Sequence, residues 1–326
     1  MVVYCRNRHH EAVWQGVRLV WQPTIRHKYL DTLAHTFFST LHLLRHPVDI
    51  ALYCNAANAL FTVLPRLRGM PVALNVDGIE RKRKKWNKLA KAWYLVSEWL
   101  ATKLPNSIVT DAAAIRQYYM EMYRAPSTFI AYGTSTALEP TMEVPVQLGL
   151  QPHRYFLYVS RLEPENRALE VRQAFERVTT DMKLALIGDA PYAMDYIAQV
   201  RDTTDPRIVM PGAIYGKGYR ELGSWCFAYI HATEVGGTHP ALIEAMGKGC
   251  LVLYLDTVEN REVCGDAGLP YLDTEGLTAR MAEALQMTEQ ERNVYRARAL
   301  LRVRERYDWY AVTTQYEALF HSLRPR

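Results

Sequence analysis

The chain has 326 residues, 49% of them apolar and 22% charged, with a net charge of +5. That length predicts about two domains, each large enough for its own core. No apolar run approaches the roughly 20 residues that span a bilayer and no signal-peptide pattern opens the chain, so the expected location is the cytoplasm.

Apolar strand-like runs alternate with helical periodicity nearly throughout, which predicts an α/β fold of parallel sheets covered by helices. Two series are separable. The first has strands at 2–5, 48–54, 71–76, 107–110 and 128–132 and helices at 30–45, 87–103 and 112–123. An irregular, Pro-containing stretch, 133–152, reads as an interdomain linker. The second series has strands at 155–160, 183–187, 207–210, 227–230 and 251–255, alternating with helices, and two helices close the chain, the last over 309–323. Cys5, Cys54, Cys226, Cys250 and Cys264 lack metal-ligand spacing and read as buried reduced thiols.

The positive charge concentrates at Arg81, Lys82, Arg83, Lys84, Lys85, Lys88 and Lys91, interleaved with Trp86, Trp93, Leu95 and Trp99. One reading is peripheral contact of this Arg81 to Lys91 segment with anionic lipid headgroups at the inner membrane face. The other is a solvated basic face with the tryptophans packed inward. No nucleic-acid motif accompanies the charge, so no nucleic-acid partner is expected.

Residues 231–246, HATEVGGTHPALIEAM, are the most informative stretch. They read as a buried strand end, a glycine loop at Gly236, Gly237 and Thr238, and a helix whose first residue is Pro240, where a missing N–H costs nothing. Glycines let an anion approach the backbone, and the free N–H groups and dipole of the helix favour its charge. Glu244, one turn on, is suited to accept a hydrogen bond from a sugar hydroxyl. The plainer alternative is a tight turn followed by an ordinary helical glutamate.

The wider string resembles the donor-site signature of the retaining glycosyltransferases of family 4, which have the GT-B fold, and most closely the branch of bacterial rhamnosyltransferases for surface polysaccharides. The resemblance implies two Rossmann-like domains facing across a cleft: an acceptor-side domain at 1–140, a nucleotide-sugar domain at 150–305, and a closing segment, 306–326, that returns to the first domain. The family signature carries two glutamates separated by seven residues. The second is Glu244; Gly236 stands at the first, with Glu234 nearby. A GT-B chain also normally begins with a strand, a glycine-rich loop and a helix, whereas this one opens on a string that matches the second strand. The first domain is therefore expected to be truncated by about one strand-crossover unit.

The implied activity is transfer of a hexose, L-rhamnose from dTDP-L-rhamnose, to a growing cell-surface polysaccharide or lipid-linked saccharide. A UDP-glucose-type transferase and a non-catalytic sugar-nucleotide-binding partner are the alternatives. No Asp-x-Asp occurs, so the expected chemistry needs no metal and no cofactor. Charge on the departing diphosphate falls to Arg161, just past the strand at 155–160, where open parallel sheets bind ligands; a surface ion pair with Glu163 or Glu165 is the alternative. Asn166 stands where the family has a phosphate-binding lysine, with Arg167 beside it. Gly188 with Asp189 borders the nucleotide or is a plain turn. Tyr215 stacks on the base or packs; Asn260 touches the donor or caps a helix. In the first domain Asp77 faces the transferred sugar or acceptor hydroxyl, or forms an Asx-turn with Gly78. Asn55 is a further candidate contact, and Asp111 reads as a helix cap.

Overall fold

The computed structural model describes residues 1–27, 29–83 and 86–324. They divide into two compact units. The first holds Met1–Asp111, Ile115–Ile130 and the described residues from Gln315 onward, and the second holds Ala112–Ala114 and Ala131–Thr314. No helix among the described residues is long and apolar enough to cross a membrane.

In the first unit, β1 (Val2–Cys5), β2 (Val13–Trp14) and β3 (Val17–Trp21) form a small sheet in the order β1-β3-β2. β2 and β3 are an antiparallel hairpin that the sequence analysis does not contain. Its corner, Gln15 and Gly16, has φ of 48° and 79°. This is the left-handed pair that lets a two-residue turn follow the strand twist, but Gln-Gly is a weaker signal than Asn-Gly or Asp-Gly. After α1 (Asp31–Arg45), a second, all-parallel sheet is built from β4 (Ala51–Cys54), β5 (Val72–Asn75), β6 (Ser107–Thr110) and β7 (Thr128–Phe129), in that order. α2 (Val63–Leu67), α3 (Lys88–Ala101) and α4 (Ala113–Tyr123) lie between its strands in sequence. β5 is buried along its whole length, as a central parallel strand should be. β1 and β4 are thus edge strands of separate sheets, and α1 bonds to both. His42 Nδ1 shares a hydrogen with the Tyr4 hydroxyl at 3.1 Å, and Thr40 Oγ1 with the Tyr53 hydroxyl at 2.8 Å.

The basic segment does not present all its charge to solvent. Arg81 Nε lies 3.2 Å from Oε2 of the buried Glu98, which also accepts from the Tyr118 and Tyr123 hydroxyls at 2.7 and 2.8 Å. Arg83 pairs with the buried Glu80 at 2.8 Å, and Trp86 donates its indole N–H to the same carboxylate at 3.2 Å. Both arginines neutralise carboxylates that burial would otherwise penalise, so neither is free to meet a lipid surface. Lys84 and Lys85 lie outside the described residues. Lys82, Lys88 and Lys91 are exposed. Trp99, expected to pack inward in the plainer reading, is 52% exposed.

The second unit begins with α5 (Glu143–Gln147) and then alternates regularly: β8 (Tyr155–Val159), α6 (Ala168–Glu176), β9 (Lys183–Ile187), α7 (Met194–Arg201), β10 (Ile208–Gly212), α8 (Gly216–Trp225), β11 (Ala228–His231), α9 (Pro240–Gly247), β12 (Leu251–Leu255), α10 (Val258–Cys264) and β13 (Gly268–Tyr271). The helices α11 (Thr274–Gln286) and α12 (Glu289–Arg306) follow, and α13 (Trp309–Leu323) starts in this unit and belongs to the first from Gln315 onward. The six strands form one parallel sheet in the order β10-β9-β8-β11-β12-β13. Its core joins Phe156, Tyr158, Leu186, Ile230 and Leu253 to Phe175 of α6 and Met281 of α11. β13 is absent from the sequence analysis because Gly268 and Pro270 break its pattern. An edge strand tolerates the proline's missing donor.

All five cysteines are free. Cys226, Cys250 and Cys264 are buried, but Cys54 is exposed and Cys5 half-buried, which corrects the expectation of uniform burial.

Candidate functional site

The second sheet fixes where a ligand can sit. From β8 the chain moves through β9 and β10 to one edge; from β11 it moves through β12 and β13 to the other. β8 and β11 are paired neighbours, so the order reverses between them. Loops leaving adjacent strands in opposite directions open a crevice at the carboxyl ends of those strands. Arg161 follows β8, and Gly236, Gly237 and Thr238 follow β11.

The loop after β8 is held by buried polar groups. Asn166 is buried; its Nδ2 donates to the Arg161 carbonyl at 2.7 Å, while its own carbonyl accepts from the Tyr158 hydroxyl at 2.6 Å. The resemblance puts Asn166 at a position that contacts the diphosphate. As placed, it is a strut closing the turn that carries Arg161. The Arg161 side chain is 51% exposed, with its guanidinium 3.7 Å from the buried carboxylate of Glu163. Glu163 in turn accepts from the Tyr192 hydroxyl, whose pKa burial and this carboxylate push up to about 12. Arg161 is thus oriented at its root yet open to solvent at its tip.

Gly188, at the end of β9, has φ of 156°, and a Cβ there would lie 1.9 Å from the Ser160 carbonyl oxygen. Close passage of two strand ends therefore requires glycine at 188 regardless of any ligand. Asp189 accepts the Leu162 N–H through its carbonyl at 3.3 Å, which ties the β9 loop to the β8 loop.

The loops after β8 and β11 are joined directly. Glu234 N–H donates to the Glu165 carbonyl at 2.9 Å, and the Glu234 carboxylate accepts from Arg167 at 2.6 Å. Glu234 is therefore occupied by an internal ion pair. Gly236, Gly237 and Thr238 are buried, and α9 starts at Pro240 as the sequence implies. A Cβ on Gly236 would fall 2.2 Å from Cε1 of His239. The imidazole of His239 occupies the space in which a side chain at 236 would sit. This gives a physical reason for glycine at the position where the resembling family has glutamate.

Glu244, half-buried on α9, accepts from the Tyr219 hydroxyl of α8 at 2.6 Å. The 25-residue separation leaves no local sequence signal for this partner. Tyr215 is 84% exposed just before α8. The packing alternative for it is therefore wrong, and its ring is available for stacking. Asn260 is fully buried, with Nδ2 donating to the carbonyls of Thr233 at 3.0 Å and Leu255 at 2.9 Å. It pins the β11 loop to the end of β12 instead of facing a ligand, and Thr257 caps α10.

In the first unit, Asn55 and Asp77 follow the adjacent strands β4 and β5, and both have left-handed φ, 74° and 60°. Asn55 Oδ1 accepts from Ala57 N–H at 3.0 Å, and Asn75 Oδ1 accepts from Asp77 N–H at 2.9 Å. The Asx-turn is thus made by Asn75, and Asp77 is the residue it turns. Asn75 Nδ2 also donates to the Tyr316 hydroxyl at 3.1 Å. Two strained non-glycine residues at neighbouring strand ends are a pattern found at functional sites. Asp111, at the end of β6, is buried.

Residues 153–287 match the family described as Glycosyl transferases group 1, and residues 43–135 match a domain of unknown function, DUF1972. No curated protein matches the sequence. Among solved structures, the Anabaena protein HepE in complex with UDP and glucose superposes with a TM-score of 0.77 at 15% identity, over 94% of this chain and 86% of that one. Sucrose-phosphate synthase from Thermosynechococcus elongatus gives a TM-score of 0.77 at 15% identity, over 95% and 84%. An alpha,alpha-trehalose-phosphate synthase (UDP-forming) from Burkholderia vietnamiensis gives 0.72 at 12% identity, over 95% and 90%. The fold is GT-B, and the match to the glycosyl transferases group 1 family falls within the second unit.

His231, buried at the end of β11, provides a stability test of the loop. Burial and the nearby His239 hold its pKa well below 6.5, partly offset by the Asn260 amide. The imidazole is therefore neutral in the fold, while the unfolded chain takes up its proton as pH falls through 6.5. Each pH unit below that point should cost about 1.4 kcal/mol from this group. We expect His231→Gln to flatten the loss of stability between pH 7 and 5 by about that slope, read by denaturant melts; parallel profiles would contradict the assignment.

Proposed function

We propose that the protein is a glycosyltransferase that moves a hexose from a nucleotide sugar to a saccharide hydroxyl with retention of configuration. The donor is dTDP-L-rhamnose, and the acceptor is a growing cell-surface polysaccharide or lipid-linked saccharide. The donor sugar rests on the branch resemblance alone; the observation that carries the transfer reading is the convergence, at the sheet reversal, of a half-exposed arginine with a glycine loop opening a helix. Such an arrangement suits a diphosphate leaving group.

In the proposed step the bond from the sugar C1 to the phosphate oxygen breaks as the acceptor oxygen bonds to C1 on the same face. The acceptor proton passes to the departing phosphate. Arg161, the backbone N–H groups of residues 236–238 and the α9 dipole stabilise the growing negative charge, so no metal is needed for that task. Tyr215 stacks on the base, and Gly188 lets the β9 loop border the nucleotide. Asn166 and Asn260 act by positioning Arg161 and the glycine loop. Asp77 hydrogen-bonds the transferred sugar or the acceptor hydroxyl. A UDP-hexose donor is the second reading, favoured by the neighbours solved with UDP and UDP-glucose.

A lipid-linked acceptor agrees with peripheral membrane contact, which we assign to α3 instead of to Arg81 and Arg83. Leu89 is 80% exposed, and Leu95, Val96 and Trp99 are about half exposed, with Lys88, Lys91 and Lys103 exposed beside them. The single acidic residue of α3, Glu98, is buried. An apolar strip edged by lysines suits an anionic lipid surface.

Arg161→Ala should lower the transfer rate about a hundredfold, as loss of one charge-stabilising donor does. A radiolabelled transfer assay giving the wild-type rate would remove Arg161 from the mechanism. The chain should sediment with vesicles containing phosphatidylglycerol, and Leu95→Glu combined with Trp99→Glu should abolish that binding. Retention of binding by the double variant would exclude α3 as the contact.

A further inference from the structure

The sequence gives Glu244 no means of telling a ribose from a deoxyribose, since either pentose offers a hydroxyl. The structure changes this, because the carboxylate is already half engaged. Tyr219 donates to Glu244 Oε2 at 2.6 Å. Burial, the neighbouring Tyr229 and Glu244 itself raise the phenol's pKa far above its ordinary value, so it remains a proton donor at any working pH. Among the described residues, no hydrogen bond or ion pair engages Oε1 of the same carboxylate, and Oε1 is not fully buried.

A vicinal diol is best held by a carboxylate that offers both oxygens side by side, one to each hydroxyl. A ribose presents such a diol at its 2′ and 3′ positions, whereas a 2′-deoxyribose presents only the 3′ hydroxyl. We propose that Tyr219 sets the nucleotide preference of the donor site: by taking one acceptor position of Oε2 it makes that oxygen the poorer partner for a second hydroxyl and leaves Oε1 as the better acceptor for one pentose hydroxyl, which favours a 2′-deoxynucleoside diphosphate over a ribonucleoside diphosphate. The proposal rests on the reading of residues 236–244 as the donor pocket. A second ribose hydroxyl that loses water on binding and meets only this weakened acceptor should cost about tenfold in affinity. The effect is independent of the base, because the selection lies at the pentose. Tyr219 is therefore a positioning residue that acts through Glu244 and touches neither the diphosphate nor the transferred sugar.

The pair dUDP and UDP differs only in the 2′ hydroxyl and isolates this effect from the thymine methyl group. Calorimetric titration of the full chain should find dUDP bound about tenfold more tightly than UDP. Tyr219→Phe removes one hydroxyl and keeps the ring. It should narrow the ratio to under about threefold by strengthening UDP, because Oε2 is released to the second hydroxyl. Glu244→Gln should weaken both ligands and reduce the ratio by a route that does not depend on the tyrosine variant. Equal binding of dUDP and UDP by the wild type would overturn the inference, as would an unchanged ratio in folded Tyr219→Phe. Unaltered binding of both in Glu244→Gln would overturn it while leaving the donor-site reading intact. Failure of the cooperatively melting wild type to bind dTDP, dUDP or UDP would instead overturn the donor-site reading itself.

Discussion

The reversal of strand order between β8 and β11 is the constraint on which the second unit depends. A parallel sheet sends every connection over its faces, so two neighbouring strands whose following loops diverge leave a gap that no crossover fills. The chain places its least bulky backbone, Gly236 and Gly237, on one side of that gap and its half-exposed Arg161 on the other. Both segments would be poor packing choices elsewhere. In the proposed reading, the backbone N–H groups of the loop and the guanidinium of Arg161 meet an anion at this gap.

The two loops could not hold this arrangement without internal ties. Three of the tie points are buried polar groups: Asn166 beneath Arg161, Asn260 behind Thr233, and Glu163 bridging Arg161 and Tyr192. Arg167 with Glu234 and the bond from Glu234 N–H to the Glu165 carbonyl stitch one loop to the other. Burying such groups is costly unless each is satisfied. Preorganised charge of this kind is worth most where a leaving group develops its own.

Much of this was legible in the amino-acid order. The alternation of apolar runs gave every strand of the second sheet except β13, and Pro240 with its preceding glycines located the start of α9. What the order concealed was mostly side-chain direction between segments distant in sequence. Asn166 and Asn260 stand in motif positions that suggest ligand contact, yet both amides turn inward to carbonyl groups. Gly236 looks like a lost glutamate until the ring of His239 is seen in that space. Arg81 and Arg83 look like part of an exposed basic run until Glu98 and Glu80, both buried, are found beneath them. The hairpin at Gln15 and Gly16 is hidden for a local reason, a turn pair without the usual Asn or Asp. Tyr219 could not have been paired with Glu244 from sequence, because the pairing depends on how α8 and α9 flank β11.

The most direct test of the account is thermal unfolding of the full chain with saturating dTDP-L-rhamnose, compared with dTDP, UDP and UDP-glucose. A ligand at a hundred times its dissociation constant adds about 2.7 kcal/mol of stability, enough to raise the melting temperature measurably. The account predicts the largest rise with the deoxythymidine ligands. A cooperative melt that none of the four ligands moves would contradict a nucleotide-sugar site at the β8–β11 reversal.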